Sequence, residues 1–274
     1  MEKHKNHTEK ELCVYKKQLD EDGYVVIKNA IPESTRLDMV ARLDRLYGAL
    51  ESAGGNTYPG GVGDTERLIL NLHNKDEVFV ELLDDAAVFP LVQHMLQSGS
   101  YQNKEPFVVT QFSARDPHAG VPAQQLHIDS RFPGPPLALM TIVLWMLNDF
   151  TIESGATRLV PKSHLRPSYP ESGVEYPDEI QVEAPAGSVL IYNGSAWHGG
   201  GAKLRDVERW SVIASYARWF VKPAFDMTKN TPPELYVKLS PERRELFGFT
   251  SVAPSDERIR SRARIPANEL PDVI

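Results

Sequence analysis

Cysteine is almost missing from this chain: Cys13 is its one copy in 274 residues. That excludes a disulfide within these residues and any zinc ribbon, and it fits a reducing, cytoplasmic setting. Long apolar runs are missing too. No stretch approaches the roughly 20 apolar residues that a membrane span needs. Positive charge is in deficit, with 30 Lys and Arg against 37 Asp and Glu for a net −7. A nucleic acid is therefore not expected as the main partner, because phosphate binding needs a basic surface. One local basic pocket for a small anion stays compatible with that balance. The opening MEKHKNHTEK is polar, lacks the core of a signal peptide, and is expected to fray. No internal repeat or low-complexity tract is present.

What the chain does have is punctuation. Its 21 Pro and 18 Gly predict many turns and short elements. ELCVYKKQLDEDGYVVIKNAIP reads as a short helix, a turn at Asp22-Gly23 and a strand YVVIKNA. ESTRLDMVARLDRLYGAL puts Leu37, Val40, Leu43, Tyr47 and Leu50 at helical spacing, with Ser34 or Thr35 as the N-cap. GGNTYPGGVGD is a flexible loop, and DEVFVELLDDAAVFPLVQHMLQS suggests two amphipathic helices. From about residue 106, the runs FVVTQFSAR, QLHID, LALMTIVLWML, ATRLV, SVLIY and RWSVIASYARWF are β-rich and bounded by turn residues, as in a sandwich or barrel. PPELYVKLSPERRELFGF is expected to be helical. We expect a single domain over 1–274. Residues 1–105 would cover it with helices and a strand, 106–222 would form the β core, and 223–274 a helical segment and tail.

QLHIDSRF sets His127 and Asp129 on either side of Ile128. On a strand, alternate side chains share a face, so the imidazole and the carboxylate project together. A further imidazole, His198, follows SVLIYNGSAW. Two imidazoles and one carboxylate form the facial set that suits non-haem Fe(II) and leaves three positions open, one for O2 and two for a bidentate cosubstrate. Arg209 lies eleven residues beyond His198, and its guanidinium presents a fork that holds a carboxylate through two parallel hydrogen bonds. Ser211, two residues on, would face the same way and donate a third. A dicarboxylate of the shape of 2-oxoglutarate fits such a pair.

In these pieces, with GATRLVPKSH and AGSVLIYNGSAWHGGG, the chain resembles the phytanoyl-CoA dioxygenase family of Fe(II)/2-oxoglutarate-dependent oxygenases, over roughly residues 12–222. The resemblance implies a mainly β protein with flanking helices and a double-stranded β-helix (jelly-roll, cupin-like) core. It implies His127, Asp129 and His198 as metal ligands and Arg209 as the cosubstrate anchor. It further matches Gln125, or else its neighbour Gln124, and Trp145 to cosubstrate contacts, and Arg67 to an upstream basic contact. Arg131, Phe132 and Tyr58 are expected in the substrate pocket. Lys162 replaces the glycine usual in this family's VPGSH turn, which puts the geometry of that turn in question. His164 is read as structural, and His73, His94 and His118 as packing or surface residues.

The implied reaction oxidises a C–H bond of a small molecule, most simply by hydroxylation, with Fe(II), 2-oxoglutarate and O2 consumed to give succinate and CO2. Related halogenases replace the carboxylate with a small residue, so Asp129 disfavours halogenation. Desaturation, cyclisation and epimerisation stay open, as does the oligomeric state. Two alternatives stand beside this one: a non-catalytic β-barrel binding protein, and a cupin-type dioxygenase that uses no 2-oxoglutarate.

Overall fold

The computed structural model describes residues 7–53, 65–134, 137–252 and 270–272. Helix α1 (Glu9–Asp22) starts in a reciprocal cap: Thr8 Oγ1 accepts from the Glu11 N–H, and the Glu11 carboxylate accepts from the Thr8 N–H. Gly23 ends it at φ +81°, a left-handed geometry that glycine adopts without steric cost. A Cβ there would sit 2.3 Å from Nδ1 of His164, so the expected turn is also a packing contact. Strand β1 (Tyr24–Ile27) follows at once.

Helix α2 (Glu33–Ser52) has Pro32 at its N-cap, with no side-chain hydrogen bond. Neither Ser34 nor Thr35 fills that role. Its buried face carries Thr35, Met39, Leu43 and Tyr47, whereas Leu37 is 52 % exposed. Of the expected stripe, Leu43 and Tyr47 are thus buried, Val40 and Leu50 pack half-buried against the core, and Leu37 is the one position that fails. Strand β2 (Glu66–Leu70) was not anticipated. Of the two helices expected next, the first is a 3-10 segment, Glu77–Leu82, and the second is α3 (Phe89–Gln97).

Seven more strands build the core: β3 (Phe107–Pro117), β4 (Met140–Met146), β5 (Arg158–Leu159), β6 (Ile180–Gln181), β7 (Val189–Asn193), β8 (His198–Gly199) and β9 (Ser211–Arg218). Short helices α4 (Met227–Asn230), α5 (Pro233–Tyr236) and α6 (Pro241–Leu246) follow them. Antiparallel pairing gives a six-stranded sheet in the order β1-β7-β4-β9-β3-β2 and a three-stranded sheet β6-β5-β8, the two sheets of a jelly roll. Both edges of the larger sheet come from the N-terminal segment, so residues 1–105 complete the core as well as cover it.

The larger sheet is buried on both faces. Along β4, Ile142, Leu144 and Met146 pack inward with Phe150, Leu159 and Leu190. Val143 and Trp145 point the other way, into a core shared with Leu43 of α2 and Leu96 of α3. That is why LALMTIVLWML reads as a continuous apolar run and does not alternate. At the turn before His164, Lys162 takes φ +63° and donates its N–H to Asp22 O at 2.9 Å. The left-handed turn is kept with a lysine, at a cost of roughly 1–2 kcal/mol.

Candidate active site

QLHID does not form a full strand. His127 makes an isolated antiparallel bridge with His198, in which each backbone N–H reaches the other's carbonyl, at 2.9 and 3.0 Å. The bridge brings the two imidazoles side by side, with ring centroids 4.4 Å apart. Asp129 is turned toward them by its own N–H, which bonds Gly194 O at 2.8 Å. Asp129 Oδ2 lies 3.4 Å from His198 Nε2, and Oδ1 lies 3.9 Å from His127 Nε2. One donor atom from each residue lies within 4.8 Å of the others, close enough for a single ion to reach all three.

Each imidazole has its other nitrogen engaged, His127 Nδ1 with Gln125 O and His198 Nδ1 with Ala196 O, both at 3.0 Å. A carbonyl accepts only from an N–H, so Nδ1 carries the proton and Nε2 keeps its lone pair for a metal. Burial, reinforced by the charge of His198, lowers the pKa of His127. Burial alone would raise the Asp129 carboxyl, but His198, then His127 and Arg115, hold it below its ordinary range. Burial opposes protonation of His198, yet the charge of Asp129 and its hydrogen bond raise it overall. Two imidazole nitrogens and a carboxylate, facing one point, are donors that fit Fe(II).

The triad lies on a cavity of about 220 Å³. Arg209 and Ser211 line it together, as their spacing predicted. Arg209 is 7 % exposed. Its Nη1 donates to Gly155 O at 2.7 Å, its guanidinium sits 4.5 Å from the Phe150 ring centroid, and its Nε has no partner. Among the described residues, no carboxylate forms an ion pair with it. Burial, with Arg115 adding to it, lowers Arg209 to about 10, against the pull of Asp116 and Glu66. It stays cationic at neutral pH. A buried, unpaired guanidinium facing a cavity is a costly arrangement that an anion would relieve.

Three expected contacts stand elsewhere. Strand alternation turns Trp145 away from the cavity into the core under the helices, while Leu144 lines the cavity. Arg67 likewise points outward, donating to Asp116 and Asp44 and stacking 4.5 Å over Trp210, whereas its neighbour Glu66 faces in. Gln124, not Gln125, lines the cavity, and its Oε1 accepts from Gly200 N at 2.9 Å. Arg131 and Phe132 are exposed and lie outside the lining. Tyr58 falls outside the described residues. Glu66, Arg115, Thr157, Tyr192 and Ser215 line the cavity without having been singled out. Strand parity could have found Arg115, four residues after Gln111 on the inward face of FVVTQFSAR, once one inward residue of β3 was known.

A jelly roll that presents two imidazoles and a carboxylate at one end of its cavity, with a buried guanidinium in the same space, defines the non-haem iron dioxygenases that use 2-oxoglutarate. The family model for phytanoyl-CoA dioxygenase (PhyH) matches residues 19–209, and the chain belongs to that family. Relatives include dioxygenase af480 of Aspergillus fumigatus, 26% identical over 85% of this chain and 76% of its own length. Multifunctional dioxygenase ausE of Emericella nidulans is 27% identical over 84% and 81%. Among solved structures, the fold matches the epimerase SnoN, in complex with Fe3+, alpha ketoglutarate and nogalamycin RO (TM-score 0.63, 17% identity, 84% of this chain and 90% of that one). It also matches HygX from Streptomyces hygroscopicus with nickel and 2-oxoglutarate bound (TM-score 0.62, 17% identity, 80% and 90%). The protein is an Fe(II)- and 2-oxoglutarate-dependent dioxygenase.

Proposed function

We propose that this dioxygenase hydroxylates a C–H bond of a small, natural-product-like molecule, and that His127, Asp129 and His198 hold its iron while Arg209 anchors 2-oxoglutarate. The observation that carries the anchor is the unpaired, buried guanidinium of Arg209 on the same cavity as the three donors. Fe(II) bound there supplies oxygen activation coupled to the breakdown of 2-oxoglutarate into succinate and CO2. The chain's own share is placement. His127 and His198 present lone pairs already fixed by their Nδ1 hydrogen bonds, and Asp129 adds the negative charge that a divalent ion needs. Arg209 holds the far carboxylate; the Ser211 hydroxyl beside it donates to Arg115 O at 3.2 Å and would have to turn from that carbonyl to add a further bond. Gln124 and Thr157 are polar residues of the same cavity wall. Ile142, Leu144 and Ile213 give the cavity a dry side, where electrostatic contacts are stronger.

The substrate class rests on similarity. A further HygX structure contains hygromycin B, and the SnoN structure contains nogalamycin RO. No helix among the described residues is long and apolar enough to cross a membrane, and the single cysteine suits a cytoplasmic setting.

The test is succinate release with Fe(II), 2-oxoglutarate and O2, alone and across a metabolite library. Slow release without substrate, faster release with one library member, and loss of both in His127→Ala are expected. Substrate oxidation that survives Arg209→Ala without succinate would point to the cupin-type reaction. No turnover together with metal-independent ligand binding would point to a binding protein.

A further inference from the structure

Lys203 and Asp116 are each 3 % exposed, and lysine is rarely so deeply buried without a reason. The two are paired. Lys203 Nζ donates to Asp116 Oδ1 at 2.8 Å and to Pro117 O at 2.6 Å. The same Oδ1 accepts the backbone N–H of Arg209 at 3.1 Å. Arg67 Nε donates to Oδ2 at 3.0 Å, and Arg67 Nη1 reaches Asp44 Oδ1 on α2 at 3.0 Å. That carboxylate also accepts from Trp210 Nε1 at 2.9 Å. Strand β9 begins only at Ser211, so the N–H of residue 209 is fixed by Asp116 and not by the ladder. The backbone of Lys203 pairs with Gly120 and Val121, and Val121 lines the cavity. One buried carboxylate thus joins the end of β3, strand β2, helix α2 and the backbone of Arg209.

We propose that Asp116 is a positioning residue for Arg209, and that Arg67 and Lys203, by holding Asp116, set how tightly the cavity takes the far carboxylate of 2-oxoglutarate. This rests on Arg209 being the anchor. A fork that must meet a carboxylate through two bonds loses much of its grip when its backbone drifts by a fraction of an ångström.

The experiment is calorimetric titration of 2-oxoglutarate into Ni(II)-loaded full-length protein. Asp116→Asn should weaken 2-oxoglutarate about tenfold or more while the affinity for Ni(II) stays within about twofold. Lys203→Met should fall between Asp116→Asn and wild type, and it decides the matter if Asp116→Asn does not fold. In an Arg209→Lys background, Asp116→Asn should add less than about twofold, because residues that act through one group are not additive. A folded Asp116→Asn or Lys203→Met that binds 2-oxoglutarate as wild type overturns the proposal, and so does a full additive loss on Arg209→Lys. Should Arg209→Ala itself leave affinity intact, the anchor falls and this role falls with it. Should Arg209→Ala weaken binding while the other variants do not, only the positioning role falls.

Discussion

Trp145 and Arg67 each sit one position from a side chain that reaches the cavity, Leu144 and Glu66. Because strand side chains alternate, a shift of one residue moves a group from the site to the opposite face of the sheet. Trp145→Phe should accordingly leave 2-oxoglutarate affinity unchanged while lowering stability by about 1–3 kcal/mol, since it opens space in a fully packed core. Calorimetric binding set beside a urea denaturation curve separates the two effects. The metal donors were legible in the sequence because their residue types are rare at an inward position and His127 and Asp129 share the right parity. Arg209 and Ser211 were legible for the same reason. Trp145 was not, because a run apolar on both faces carries no mark of which parity is inward. Gln124 and Gln125 posed the same problem, and only the chain path into the His127–His198 bridge chooses between them.

At the scale of elements, helix α1 and its glycine stop could be read directly, since cap and breaker residues act locally. Strand β2 could not. ERLIL is five residues long and opens with two charges, and its Arg67 is tolerated only because Asp116, Asp44 and Trp210 come from distant elements. The face of α2 was legible from Val40 to Leu50, which lie in or against the core, and failed in its first turn, where Thr35 is buried while Leu37 meets solvent.

A second consequence lies where the 3-10 turn Leu72–Asn74 packs on the end of α6. His73 is 1 % exposed, with its ring 5.4 Å from that of Phe247. Burial, and then the charge of Lys75, lowers its pKa from 6.5 to about 4. Between those values the unfolded chain binds a proton that the folded one refuses. Its contribution is therefore intact above about pH 6.5 and falls by up to ~3 kcal/mol as the pH drops to about 4. Urea midpoints measured at pH 7 and pH 4.5 should show a smaller acid loss in His73→Leu than in wild type. Equal losses would rule this out.

Taken whole, the molecule depends on its first thirty residues more than a cover would. β1 pairs with β7 from Tyr24↔Tyr192 to Ile27↔Val189, and Leu19, Val25 and Ile27 are buried in the main core. Deleting residues 1–31 would leave β7 with an open edge and that core uncovered, an arrangement that invites strand-to-strand association. The truncated chain should collect in the insoluble fraction and, where soluble, lose its near-ultraviolet circular dichroism. A soluble, cooperatively unfolding product would contradict this.

The mutual backbone bonds between residues 127 and 198 mean that the ligands are gathered by peptide groups, before any cation arrives. Stripping with a chelator should then leave the thermal transition cooperative, and ferrous salt added back under anaerobic conditions should restore full turnover as soon as O2 is admitted. Emptying and refilling would be like drawing a cork from a bottle whose neck keeps its shape.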